Sequence, residues 1–257
     1  IGNGEEGQGA GFFDDTRAVA VDGQGNIYTA DYDGGRVQIF DSVGNFVNMW
    51  KIPGQAYISG LAADRAGNLY VVFGGNVYRY EGATGTRLGK MKYDESFVYD
   101  VAVSPFGDVV AASNQAIIRF DREGQITLKI DQWPELVGAG SSASLSNLAV
   151  DGEGSIYVGD SSASIVYKLS AEGRFLDRIG VPGDGPGKLD GVYALAADGQ
   201  RRLYVADSDG IEVLDENGLP VGTIEVESLV FDMAVSGEQE LIAMDRNANK
   251  LFKFKLP

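Results

Sequence analysis

The chain has 257 residues, with 21 Lys and Arg against 37 Asp and Glu, a formal net charge of −16, and neither histidine nor cysteine. The missing residue types exclude Ser-His-Asp and Cys-His nucleophile systems, His general bases, disulfides, and metals ligated by Cys or His. The acidic balance argues against a nucleic-acid partner, because phosphate backbones are held by clustered Lys and Arg.

Apolar content of 44% and 36 glycines fit an all-β chain with many turns. No run approaches the ~18 apolar residues of a membrane-crossing helix, so no membrane insertion is expected. The lack of cysteine suits either side of a bacterial membrane and leaves the compartment open. With Ile1 in place of an initiating Met, the chain is expected to be a processed or excised piece of a larger polypeptide. Residues 1–15 are Gly-rich and acidic. Gly2-Asn-Gly4-Glu-Glu-Gly7 matches a bare G-x-G-x-x-G, but a strand follows rather than a helix, and Glu5 and Glu6 oppose a pyrophosphate. The segment reads as a flexible inter-sheet loop.

Residues 17–50 set the pattern. Apolar runs at 18–21, 27–30, 37–40 and 46–50 are separated by Asp22-Gly-Gln-Gly25-Asn26 and Asp41-Ser-Val-Gly44-Asn45. In these turns Asp bonds its own backbone and Gly takes positive φ, so the stretch reads as a four-stranded antiparallel meander. The pattern recurs, with a polar residue closing the first strand of each unit at 22, 64, 104, 151, 198 and 236. Six such units, spaced 38–47 residues apart, have propeller spacing. The expectation is one all-β domain over 1–257, a six-bladed β-propeller of four-stranded antiparallel blades. The last repeat stops after its third strand, so the last blade lacks its outer strand within this chain. Ile1-Gly2 aligns with Ile179-Gly180 at the end of an outer strand.

Ala18-Val-Ala-Val-Asp22, Gly25-Asn-Ile-Tyr28, Ala30-Asp31, Arg36-Val-Gln-Ile-Phe-Asp41 and Gly44 resemble the NHL repeat, and Gly183-Asp-Gly185-Pro-Gly187-Lys-Leu189 is similar to that family's Gly-rich approach to the next repeat. The resemblance spans nearly the whole chain and implies a six-bladed propeller. It implies little about activity, since family members include scaffolds, sensors and enzymes. It also implies a structural ion pair between Asp31 and Arg36, repeated in spacing by Asp245 and Lys250. The pattern departs at Asp160, which faces Ile165, and at Asp207, which lies in a shortened loop. Asp207-Ser-Asp209-Gly210 begins like a Ca²⁺ loop, but the chain then enters a strand, so it reads as a turn.

A propeller site is expected at the mouth where the first strands begin. The positions there are Arg17, Ser59, Tyr99, Ser146, Tyr193 and Phe231, followed by Ala18, Gly60, Asp100, Asn147, Ala194 and Asp232. Arg17, Tyr99, Asp100, Asn147, Tyr193 and Asp232 form the ligand-binding candidates, with ordered water plugging the channel as the alternative. Tyr32, Phe73 and Arg246 lie in hairpin loops on the same face. Trp133, in the long connection 131–146, reads as tucked onto the fourth blade rather than as an exposed anchor.

Two functions compete. The first is a binding, scaffolding or sensor module for a protein, peptide or glycan, which needs no catalytic set and no cofactor. The second is a Ca²⁺-dependent enzyme of the lactonase or sugar-hydrolase kind, with an axial metal on Asp100, Asn147 and Asp232. The metal ligands of NHL amidating lyases are histidines, which this chain lacks, and the RNA-binding members use a basic face.

Overall fold

The computed structural model describes residues 1–54, 56–94, 97–140, 142–226, 228–237, 239–245 and 247–256. Arg246 lies outside them. Four-stranded antiparallel sheets span 16–51, 58–90, 100–131, 145–179 and 194–224, and a three-stranded sheet spans 230–255. These are the blades of an all-β, six-bladed propeller. Strands follow chain order within each sheet, as hairpin connections require. The helical turn Trp133–Leu136 interrupts the connection into the fourth blade.

The blades fall into two compact units, Ile1–Met91 with Phe231–Pro257, and Lys92–Val230. Burial within a blade follows strand position. In the first blade Ile27–Asp31 and Arg36–Phe40 are buried along their whole length, whereas Phe46–Lys51 is mostly exposed. Middle strands packed on both faces lose the in-out alternation of a half-buried strand.

In the first unit, Ala18, Tyr28 and Ile39 of the first blade pack with Ile58, Leu61 and Val71 of the second. Another core of this unit joins Phe13, Val19, Ile27 and Phe40 to Ile242, Met244 and Leu251 of the sixth. The Ile1 ammonium donates to Leu251 O and the Leu251 N–H donates to Ile1 O, both at 2.9 Å. Ile1 thus stands against Leu251 as Ile179 stands against Val166 in the fourth blade.

In the second unit, Val110 and Ile117 of the third blade pack with Leu148, Ile156 and Tyr167 of the fourth, and Trp133 is fully buried among them. Val166 and Tyr157 of the fourth pack with Leu195, Val205 and Leu214 of the fifth.

The N-terminal segment differs from the flexible loop expected. Arg36 Nη2 donates to Gly7 O and Phe12 O, both at 3.0 Å, and Nη1 donates to Gly9 O at 3.3 Å. Gln38 accepts from Gly11 N–H at 2.9 Å and donates to Phe12 O at 2.7 Å. Glycine carbonyls that converge on one buried guanidinium are tied down, whatever the segment's composition.

Candidate functional site

In every blade the first strand and the hairpin between second and third strands meet at one edge, and the candidates sit there because Tyr99 and Tyr193 immediately precede a first strand while Arg17, Asp100, Asn147 and Asp232 lie in its opening residues. The structure separates them into two classes. Asp100, Asn147 and Asp232 are occupied with backbone. Asp100 accepts N–H of Leu148 at 2.8 Å, Asn147 accepts N–H of Leu195 at 2.8 Å, and Asp232 accepts N–H of Val19 at 2.8 Å. Each reaches from one first strand to the first strand of the next blade. Asp100 and Asp232 also accept the following N–H, from Val101 at 2.8 Å and Met233 at 2.9 Å. In the corresponding places Ala18, Gly60 and Ala194 offer no such acceptor. The oxygens proposed for an axial cation therefore serve as stitches between blades.

Asp100 is buried, and burial pushes its carboxyl up from 3.8 to about 7 against the pull of its two N–H donors. An acid with a raised folded pKa holds its proton in the native state after the unfolded chain has lost it. Asp100 therefore costs stability progressively as pH rises from 3.8 to about 7. Asn147 shows that an amide makes the same stitch. Asp100→Asn is expected to flatten this slope and to stabilise the protein by ~2 kcal/mol at pH 8, with little change at pH 4. Urea unfolding at both pH values checks it, and a variant that tracks the wild type across the range contradicts it.

The second class reaches solvent, Arg17 in part and the tyrosines openly. Arg17 is held by Asp15 at 3.0 and 2.9 Å and lies 4.0 Å over the Tyr32 ring, which lies 5.4 Å from Tyr57. This places Arg17, Tyr32 and Tyr57 in one cluster of the first unit. In the second unit Tyr99 is 41% exposed and 6.1 Å from Phe97, which is 62% exposed and has φ of 60°. Such a backbone conformation is costly for a bulky residue. Tyr193, 38% exposed, shares a hydrogen bond with Ser208 at 3.2 Å. Phe73 stacks on Tyr78 at 4.3 Å.

The loop carboxylates have individual partners. Arg36 Nε meets Asp31 at 2.6 Å, both side chains buried, and Thr16 Oγ1 donates to the other Asp31 oxygen. Burial still pushes the Asp31 carboxyl up against the pull of Arg36 and Thr16. Asp160 accepts from the Ser144 and Ser162 N–H groups and the Ser162 hydroxyl. Asp207 accepts N–H of Asp209 at 2.9 Å, of Gly210 at 3.1 Å and of Asp190 at 3.3 Å, which makes a turn of that motif. Asp245 pairs in register with Lys250 across the last hairpin.

One repeated device escapes a strand-and-turn reading. Tyr28, Tyr157 and Tyr204 donate their hydroxyls to Asp22, Asp151 and Asp198 at 2.9, 3.0 and 3.0 Å, and Tyr70 reaches Asp64 at 3.5 Å. The recurring Asp-x5-Tyr spacing is its signal in the sequence. Burial, then the facing carboxylate, raises each of these phenols.

No family model matches this chain, and no curated protein matches it either. Among solved structures it is similar to one described as a streptogramin B lyase, with TM-score 0.66 and 10% sequence identity over 95% of this chain and 83% of that one. The similarity extends to the fold.

Proposed function

We propose that this protein is a recognition module that presents the first-strand edge of its blades to a protein, peptide or glycan. The observation that carries this reading is the division of labour at that edge. In the second unit Asp100 and Asn147, set back from it, are spent on backbone N–H groups, while Phe97, Tyr99 and Tyr193 stand exposed. Tyrosine supplies large contact area for the loss of few rotamers, which suits a rigid binding face. The NHL resemblance and the propeller fold support a module of this kind, and the acidic charge favours neutral or cationic ligands.

The test is a screen of the whole chain on arrays of defined peptides and oligosaccharides, repeated with Tyr99→Ser and Tyr193→Ser. Those partly exposed side chains are expected to be replaceable without loss of fold. Affinity for the ligands identified is expected to fall about 10-fold or more per substitution. Unchanged binding in both variants, with circular dichroism confirming the fold, would move the site elsewhere.

A further inference from the structure

The approaches to the first and fifth blades are copies of one framework. Gly7-Gln-Gly9-Ala-Gly11-Phe-Phe13 corresponds to Gly183-Asp-Gly185-Pro-Gly187-Lys-Leu189. Gly7 N–H donates to Phe13 O at 2.9 Å, and Gly183 N–H to Leu189 O at 3.1 Å. Phe12 N–H donates to Gly9 O at 3.2 Å, and Lys188 N–H to Gly185 O at 2.9 Å. Gly11 N–H donates to Gln38 at 2.9 Å, and Gly187 N–H to Glu212 at 3.2 Å. Both loops carry the same parallel bridge, Glu6 with Phe13 and Pro182 with Leu189.

What the first framework holds is a cation. The Arg36 guanidinium sits among the Asp31 carboxylate and the carbonyls of Gly7, Gly9 and Phe12. The fifth-blade hairpin is two residues shorter and brings no arginine to that place. Asp207 takes the position of Asp31. Glu212 takes that of Gln38, converting a neutral amide to a carboxylate. The first framework balances Asp against Arg. The fifth carries two acids, 4% and 5% exposed, and among the described residues neither forms an ion pair. Two buried carboxylates without a counter-charge are costly.

We propose that the fifth blade binds one divalent hard cation, Ca²⁺, where the first blade places the Arg36 guanidinium. Its donors are the carboxylates of Asp207 and Glu212 and the carbonyls of Gly183, Gly185 and Lys188, an all-oxygen set of the kind Ca²⁺ takes. The ion supplies the two charges the acids need. Asp207 keeps its three backbone donors, and Glu212 keeps the Thr223 hydroxyl at 2.7 Å and the Gly187 N–H, which orient both carboxylates. The site lies within the second unit and differs from the residues proposed for ligand recognition.

The test is calorimetric titration of the chelator-treated chain with CaCl₂, together with thermal unfolding. One ion per chain is expected, with the unfolding midpoint rising by about 5 °C at a hundredfold excess over Kd. Glu212→Gln rebuilds the neutral first-blade arrangement and is expected to abolish both responses. Glu172→Gln, which removes an exposed acid elsewhere in the same unit, leaves them unchanged. Replacing Ser208-Asp209-Gly210 with the first-blade hairpin Tyr-Asp-Gly-Gly-Arg supplies a guanidinium and should remove the calcium response while keeping the fold. No binding by the wild type at 1 mM Ca²⁺, or binding that survives both redesigns, would overturn the proposal.

Discussion

Arg36→Met is expected to cost about 3–5 kcal/mol of stability, because it strands a buried carboxylate rather than merely deleting a pair. Asp31 is 2% exposed and would keep only the Thr16 hydroxyl. The carbonyls of Gly7, Gly9 and Phe12 would lose their shared donor in the same step. Arg36→Lys recovers part of the loss, since an ammonium cannot reach along a planar fork to a carboxylate and three carbonyls together. The deficit should depend on pH. Without the guanidinium the Asp31 carboxyl rises further above its ordinary value, so the folded variant holds a proton that its unfolded chain gives up. The deficit is then largest at neutral pH and shrinks as pH falls through the raised pKa. Denaturant melts at pH 7 and pH 5 measure this. Asp31→Asn combined with Arg36→Met should recover more than half of the neutral-pH loss, because the stranded charge is gone. Amide exchange at Gly7 and Gly11 should quicken in the single variant. A single variant as stable as the wild type would show that the N-terminal segment is held by its own packing.

How far this architecture could be read from residues alone follows from where each interaction leaves its mark. Blade number and strand order were legible because Asp and Gly recur at turns that need side-chain acceptors and positive φ, at a spacing no helical pattern shares. The register of Ile1 was legible by alignment with Ile179, since the end of the outer strand stands opposite the same place of the third strand, as Trp50 does opposite Val37 and Ile224 opposite Ile211. The exposure of Tyr99 and Tyr193 follows only in part from their place at the start of a blade, since Arg17, Ser146 and Phe231 at the equivalent positions are half-buried. The occupation of Asp100, Asn147 and Asp232 does not, because their partners are main-chain N–H groups of Leu148, Leu195 and Val19, and every residue but proline offers one. A carboxylate stitching two strands and one awaiting a ligand look identical in a sequence. The grip of Arg36 on the first glycine-rich segment was hidden likewise, its acceptors being carbonyls. Shortening of the fifth-blade hairpin was visible. Its meaning emerged only when the two glycine-rich approaches proved to share their hydrogen bonds.

Trp133→Ala should rival the loss of Arg36 by a different route. The indole is fully buried at the start of a helical turn, 6.0 Å from the Tyr167 ring, among Val110, Ile117, Leu148 and Ile156. Its Nε1–H donates to Ser113 O at 2.9 Å, so it also pins the hairpin of the third blade. Two local features aim it inward. Gln132 adopts φ of 55°, which turns the chain after the preceding strand, and Pro134 supplies a φ suited to the first helical turn. Truncation removes the contacts, opens a cavity that backbone held on both sides cannot close, and leaves a buried carbonyl unpaired. The expected cost is about 3–5 kcal/mol. Trp133→Phe keeps much of the volume but not the donor, so about 1–2 kcal/mol is expected. Urea unfolding followed by far-ultraviolet circular dichroism separates the two variants. The remaining tryptophan, Trp50, belongs to the first unit, where it stacks on Tyr80 at 5.3 Å and donates to Gly82 O at 2.7 Å. Trp50 is then the sole emitter in both variants, so before unfolding Trp133→Ala should show the same emission maximum as Trp133→Phe, because the lost contacts all lie in the second unit. A loss near zero for Trp133→Ala would mean that the 131–146 connection repacks around the missing ring and that the indole is not what joins the third and fourth blades.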